Sequence, residues 1–307
     1  MRCGNKRGWL RLAEYGWVEC RGALYPSGLP DLDYALNPYV GCEHGCKYCY
    51  SKAVFRSRRL AEGWGAFVWA KRRLLDRLRA DLKRKPKGMI GVGTVTDPYQ
   101  PLEAKLKLTS EALRLIAAYG FKASIQTKSP LILRDGKALV RGRFDVGITL
   151  TSLNERIASL IEPRAPPPRA RLEALRKLSS LGVETWLFYG PIIPEVNDDP
   201  ETVSRIVEAA VSAGCRLILY DKLNLKRWVF EFLAPTLEEL KSGLAGRVRE
   251  TLNSKAYREK VSTLIQKACS RVGVKCEPAF PAPRGFKAPG ERPRENLLAW
   301  VSREKLK

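Results

Sequence analysis

Three cysteines, Cys42, Cys46 and Cys49, stand in the spacing CxxxCxxC within Asn37 to Lys52, which reads NPYVGCEHGCKYCYSK. Three thiolates in one short loop can hold one metal centre. A closed structural zinc site wants four protein ligands, and an iron–sulfur cubane normally has four cysteines too. Three ligands therefore suggest a cubane with one open iron, free to take a small molecule. Gly41 and Gly45 let the loop wrap tightly and leave amides to point at sulfurs. The alternative is a zinc knuckle with His44 as fourth ligand. His44 lies between the first two cysteines, a cramped place for a tetrahedral ligand.

The chain has 307 residues, of which 45% are hydrophobic, enough for a sizeable core. No apolar run reaches the length of a membrane helix, and the N-terminus, MRCGNKRGWLRL, has no apolar signal core. A cytoplasmic protein is expected, which suits an oxygen-sensitive cluster. The remaining cysteines, Cys3, Cys20, Cys215, Cys269 and Cys276, are scattered. A secondary reading links Cys3 with Cys20, or Cys269 with Cys276, as disulfides or a second metal site, though their spacings match no metal template.

Lysine and arginine total 55 against 32 acidic residues, a formal charge of +23. Such an excess suggests a polyanionic partner, above all nucleic acid. The competing reading is a heat-adapted charged surface, consistent with one His and two Met.

Along the chain, apolar β-prone runs alternate with amphipathic helical ones. Strands are expected at Leu32–Leu36, Met89–Val95, Phe121–Thr127, Phe144–Ser152, Glu184–Ile193 and Arg216–Tyr220. Helices are expected at Lys71–Lys85, Leu108–Tyr119, Pro130–Val140, Arg169–Leu181 and Glu201–Ala213, several stopped by a following glycine. About six βα units predict an α/β fold with a parallel sheet. The chemistry of such barrels lies at the C-terminal strand ends, where hydroxyl, glycine and charged residues collect here. Residues 1–31 read as an irregular N-terminal cover, 32–225 as the core barrel, and 226–307 as a basic helical and proline-rich extension. Leu297 to Lys305 is expected as a short terminal helix.

The cysteine loop resembles the cluster motif of the radical S-adenosylmethionine (SAM) enzymes, CxxxCxφC with φ aromatic, here Tyr48. The resemblance implies a partial (β/α)6 barrel of the TIM type, a [4Fe–4S] cluster, and SAM held at the open iron by its amino and carboxylate groups. One-electron cleavage of SAM then gives a 5′-deoxyadenosyl radical; the electron donor would be a ferredoxin or flavodoxin. Tyr48 would pack beside cluster and adenine. Tyr50 would pack or take part in radical traffic.

Carried over strand by strand, Thr94, Thr96 and Asp97 fall near the SAM amino group. Asp97 would substitute for the family's glutamate, which is missing. Thr127, Lys128 and Ser129 would reach the carboxylate, with Arg164 or Arg169 as a partner. Thr149, Thr151 and Ser152 fall near the ribose. Gly190, Pro191 and Ile192 resemble the segment that cups adenine, lacking its second glycine, and Leu223 and Asn224 would complete that pocket.

More narrowly, NPYVGCxHxCxYCY, TDPYQPLE and TKS resemble the spore photoproduct lyase-like, or DNA repair photolyase-like, branch across residues 32–225. Spore photoproduct lyases carry a hydrogen-returning cysteine near the end of the second strand. Here that place reads Gly93-Thr94-Val95-Thr96, and no cysteine occurs between Cys49 and Cys215. A radical SAM enzyme of nucleic-acid repair or modification is the leading expectation. Radical chemistry on a peptide or metabolite, and a metal-stabilised nucleic-acid-binding protein, are the alternatives.

Overall fold

The computed structural model describes residues 13–29, 31–55, 57–226 and 228–279, with the backbone of 304–305. Its main sheet contains seven parallel strands: β1 (Tyr34–Leu36), β2 (Met89–Val92), β3 (Lys122–Thr127), β4 (Asp145–Leu150), β5 (Glu184–Ile192), β6 (Leu217–Lys222) and β7 (Lys275–Pro278). They lie in sequence order, and Tyr25–Pro26 pairs antiparallel outside β1. The sheet is open: β1 and β7 are not joined. This is the expected α/β partial barrel.

The central strands form because β-branched and aliphatic residues run almost unbroken through them. In β4, five of the six residues of DVGITL are buried, as a parallel strand covered on both faces requires. Covering helices include α1 (Leu74–Arg84), α2 (Leu108–Ala118), α3 (Pro168–Ser180) and α4 (Pro200–Ser212). Each packs an apolar stripe on the sheet; in α3, Ala174, Leu175 and Leu178 are buried. Gly182 follows α3 with φ +80°, the left-handed geometry in which a helix end is closed.

Two expectations change. Glu14–Glu19 lies in the segment read as irregular, yet it is a strand paired in parallel with Phe67–Arg72. Its alternation is short, with Gly16 and Val18 buried between charged ends, so the period-two signal was weak. Beyond residue 225, helix α5 (Lys255–Arg271) leads into β7, which pairs with β6 and extends the sheet. The proposed terminal helix Leu297–Lys305 lies outside the described residues except for 304–305, which are in a strand. Cys3 also lies outside them, and Cys20, Cys215, Cys269 and Cys276 are free thiols. Among the described residues, no helix is long and apolar enough to cross a membrane.

Two apolar clusters hold the cysteine loop. One joins Cys42 to Phe55, Trp64 and Phe67. The other joins Cys46 and Tyr48 to Leu223 and to Val229, Leu233, Leu244 and Val248. The segment after residue 225 therefore backs the loop.

Candidate active site

The loop from Asn37 leaves β1 at its C-terminal end and is bonded to the segment after β2, where Asn37 Nδ2 donates to Thr94 Oγ1 and Asn37 Oδ1 accepts from Val95 N, both at 2.9 Å. Gly41 has φ +85°, and a Cβ there would lie 2.5 Å from the Phe67 carbonyl oxygen, so only glycine fits. Thr96 Oγ1 donates to the Gly41 carbonyl at 2.5 Å. Gln100 Oε1 accepts from Glu43 N at 2.8 Å. Lys52 Nζ donates to the Cys46 and Lys47 carbonyls at 3.0 and 2.6 Å, and burial lowers its ammonium to about 8. The loop backbone is thus fixed by side chains from outside as well as by its own turns.

Cys42, Cys46 and Cys49 line one small cavity of about 110 Å³ together with Thr94, Thr96, Asp97, Thr127, Lys128 and Thr149. Burial raises the Cys42 thiol well above its usual range and pushes Cys46 up to about 12. Buried thiols of this kind become good ligands when a cation compensates the thiolate. Among the described residues, no group of three or more His, Cys, Asp or Glu is placed to hold a single metal ion. His44, the fourth ligand of the zinc alternative, has Nδ1 3.3 Å from Asp97 Oδ2 instead, close but not aligned for a hydrogen bond.

Asp97 sits at the centre of the rim. It accepts from Thr127 Oγ1 at 2.6 Å, Lys128 N at 2.9 Å and Tyr99 N at 2.9 Å. Burial opposes its charge, but His44 and these donors hold its carboxyl well below the usual range. With both oxygens engaged inside the protein, Asp97 organises the rim.

A second buried group lies behind Tyr48. Its hydroxyl donates to Glu162 and lies 3.0 Å from Thr151 Oγ1. Arg171 donates to Glu162 at 2.5 Å, both side chains being at most 1% exposed. Lys128 Nζ stands 3.9 Å from Glu162 and 5.7 Å from the centre of the Tyr48 ring. Burial opposes ionisation of Glu162, but Arg171 and Lys128 outweigh it and hold the carboxyl at about 2. This network ties the loop to the ends of β3 and β4.

A larger cavity, of about 410 Å³, fills the open barrel and shares Cys49, Tyr50, Gly93, Thr94, Gln126, Lys128 and Thr149 with the smaller one. Trp186 and Phe188 of β5 give it aromatic walls. Space for them exists because β4 and β5 carry glycines. A Cβ on Gly147 would lie 2.3 Å from the Trp186 ring, and one on Gly190 2.5 Å from the Phe188 ring. Asp145 accepts from Trp186 Nε1 at 2.7 Å and from Ser124 Oγ at 2.5 Å, fixing the indole.

The expected SAM residues divide. Thr94, Thr96, Asp97, Thr127, Lys128 and Thr149 line the small cavity, and Gly190, Pro191 and Asn224 line the large one. Tyr48 and Tyr50 also face the large cavity. Ser129 caps the turn at Leu131, and Ser152 bonds Asn154 N. Thr151 is buried, donating to the Gly190 carbonyl at 2.9 Å. Ile192 joins the main core and Leu223 the cluster behind Tyr48. Of the two arginines named for the carboxylate, Arg169 is 82% exposed and pairs with Glu155, and Arg164 donates to the Gly65 carbonyl. Arg171 is the buried one. It lies two positions from Arg169 on α3 and therefore on a different face. Sequence reasoning also missed Gln100, Lys52, Glu162 and Trp186. Only the alternation along β5 could have placed Trp186 inside.

An open parallel βα barrel with a three-cysteine loop and a polar cavity at its C-terminal rim defines a class of α/β enzyme whose chemistry sits at those strand ends. Within that class the chain belongs to the Radical SAM superfamily, whose family model matches residues 36–207. It is a radical SAM enzyme, and the [4Fe–4S] cluster and SAM anticipated from the cysteine loop are that family's cofactors. It is 32% identical over 182 residues to an uncharacterized protein of Methanocaldococcus jannaschii, covering 59% of this chain and 68% of that one. It is 27% identical over 275 residues to an uncharacterized protein of Mycobacterium tuberculosis, covering 81% and 79%. Among solved structures its fold is similar to that of a doubly substituted spore photoproduct lyase with bound AdoMet and dinucleoside spore photoproduct. The TM-score there is 0.67 at 11% identity, over 85% of this chain and 81% of that one.

Proposed function

We propose that the protein cleaves SAM reductively at a [4Fe–4S] cluster held by Cys42, Cys46 and Cys49, and acts on nucleic acid. The observation that carries this reading is the joining of two cavities. The three thiols line the smaller one, and it shares Cys49, Tyr50, Lys128 and further walls with the larger, aromatic-walled one. When bound, the cofactor pair supplies a 5′-deoxyadenosyl radical that takes a hydrogen atom from the substrate.

The chain's own residues supply the rest. Lys128, whose burial opposes its charge while the Glu162 carboxylate 3.9 Å away favours it, suits the SAM carboxylate. Thr94, Thr96 and Thr149 offer hydroxyls along the rim. Gly190 and Pro191, with Asn224, form the wall assigned to adenine. Tyr50, whose hydroxyl donates to the Thr94 carbonyl, stands where the two cavities meet. We assign it the control of hydrogen transfer between cofactor and substrate. Trp186 and Phe188 suit a stacked base, and a charge of +23 suits phosphates. The similar spore photoproduct lyase structure holds a dinucleoside lesion, which supports a nucleic-acid substrate here. In this reading residues 32–225 carry the chemistry, and Val229 to Leu252 back the cluster loop.

The test is isotope transfer. Anaerobically reconstituted, reduced protein is given SAM with deuterated DNA, deuterated RNA or a deuterated peptide mixture. The reading expects deuterium in 5′-deoxyadenosine from a nucleic acid. Label arriving only from the peptides would replace it with peptide chemistry.

A further inference from the structure

Beside the barrel cavity lies a side cavity of about 230 Å³, between the end of β6 and the start of α5. Lys222, Asn224, Asn253 and Arg258 line it with Asp221, and Asp221, Lys222 and Asn224 line the barrel cavity too. The two spaces therefore adjoin. Lys226 stands on the same rim, its Nζ 5.5 Å from the centre of the Tyr50 ring. Lys222 and Arg258 thus share the side cavity with one carboxylate, Asp221. Among the described residues, neither Lys222 nor Arg258 has a carboxylate within salt-bridge distance.

This grouping carries more positive than negative charge. Burial and the Arg258 charge both lower the Lys222 ammonium, and Asp221 offsets them only in part. Burial in turn raises Asp221 to about 6, so its carboxylate is itself a weak counterion. Two cations with two side-chain amides around an open space match a tetrahedral oxyanion, with the Arg258 guanidinium able to engage two oxygens at once. Next door, Trp186 and Phe188 offer faces for a base.

We propose that the side cavity is a phosphate subsite. It takes the phosphate that flanks a base entering the barrel cavity, with Lys222 and Arg258 supplying charge and Asn224 and Asn253 supplying N–H donors. The subsite rests on the reading of the barrel cavity as the substrate's place; it does not require the radical chemistry. A phosphate of this kind belongs either to a nucleic-acid strand or to a free nucleotide.

The experiment measures binding to the full chain of three probes: a mixed-sequence single-stranded DNA 8-mer, a mixture of nucleoside 5′-monophosphates, and inorganic phosphate. Wild type is compared with Arg258→Gln and Lys222→Met across a salt series. Arg258 is exposed, so its replacement spares the fold, and Arg258→Lys keeps the charge. Each neutral variant is expected to bind the 8-mer about tenfold more weakly, as loss of one charge-assisted contact implies. Each should also reduce the slope of log affinity against log salt by about one. Arg258→Lys should restore most of the affinity. Binding of monophosphates alone, lost in the neutral variants, would keep the subsite and discard the nucleic-acid substrate. Variants that bind the 8-mer and monophosphates as wild type does, with the same slope, would overturn the subsite and leave the nucleic-acid reading standing. Failure of wild type to bind any probe would overturn both.

Discussion

His44 Nδ1 lies 3.3 Å from Asp97 Oδ2, with the two side chains only 2% and 9% exposed, so the cysteine loop and the end of β2 are joined by a buried polar pair. Asp97 also accepts from the β3 end through Thr127 and Lys128. One carboxylate thus holds three segments of the rim in register.

Asp97→Asn keeps the size of the side chain and removes its charge. Breaking a buried charged group from its partners costs about 3 kcal/mol. The variant is expected to melt at lower temperature and to retain less iron after reconstitution, because the loop loses its anchor. Thermal denaturation and iron analysis check this; a wild-type melt with full iron would show that Asp97 is dispensable to the loop.

Much of this site was legible beforehand. The spacing of Cys42, Cys46 and Cys49 already put them in one place, and they line one cavity; all six anticipated barrel strands appear within a few residues of their expected bounds. Strand ends at Thr96-Asp97 and Thr127-Lys128 follow from where apolar runs stop. The buried partners were not legible, because pairing across 114 residues between Tyr48 and Glu162 leaves no local signal. Arg171 was missed for a related reason: it reads as one more exposed charge on α3 until the helix phase is known. The strand β7 was hidden because Lys275–Pro278 is short and polar and gains its structure from β6.

Glu162 gives a pH prediction. Its carboxyl titrates at about 2 in the folded protein against an ordinary 4.5. A depressed folded value stabilises the protein fully above the unfolded value and is lost as pH falls through the folded one. The contribution, on the order of 3 kcal/mol, is therefore complete above about pH 5 and disappears toward pH 2. Glu162→Gln should be less stable near neutrality and should lose part of the acid dependence. Denaturant melts from pH 3 to 7 measure this; parallel curves for both proteins would show that Glu162 is not the titrating group.

Gly147 gives a packing prediction. A methyl group there would lie 2.3 Å from the Trp186 ring, so Gly147→Ala must push the indole away from Asp145 and into the barrel cavity. Overpacking of this kind costs about 1–3 kcal/mol. Tryptophan fluorescence should shift and nucleic-acid binding should weaken, while iron content stays normal. Unchanged fluorescence and binding would show that the cavity wall is not set by this contact.

Lys83, Arg84 and Lys85 form the most basic helix end, where α1 closes. They precede β2, and Lys85 Nζ lies 5.6 Å from the centre of the Tyr34 ring at the start of β1. That places them at the N-terminal edge of the sheet, away from the strand ends that line the cavities. Their joint replacement by Ser should lower non-specific affinity and flatten the salt slope by at most about three. It should leave labelling of 5′-deoxyadenosine by bound substrate unchanged. Loss of that labelling with binding intact would place the substrate path at the opposite face.

The most direct measurement is 5′-deoxyadenosine released from SAM by anaerobically reconstituted, dithionite-reduced protein, quantified by mass spectrometry beside the cluster's absorbance and iron content. The account predicts 5′-deoxyadenosine from wild type, with both product and cluster lost when Cys42, Cys46 or Cys49 is replaced by Ala. Wild-type protein that holds a full four-iron cluster and binds SAM yet releases no 5′-deoxyadenosine, or single variants that keep the whole cluster, would contradict it.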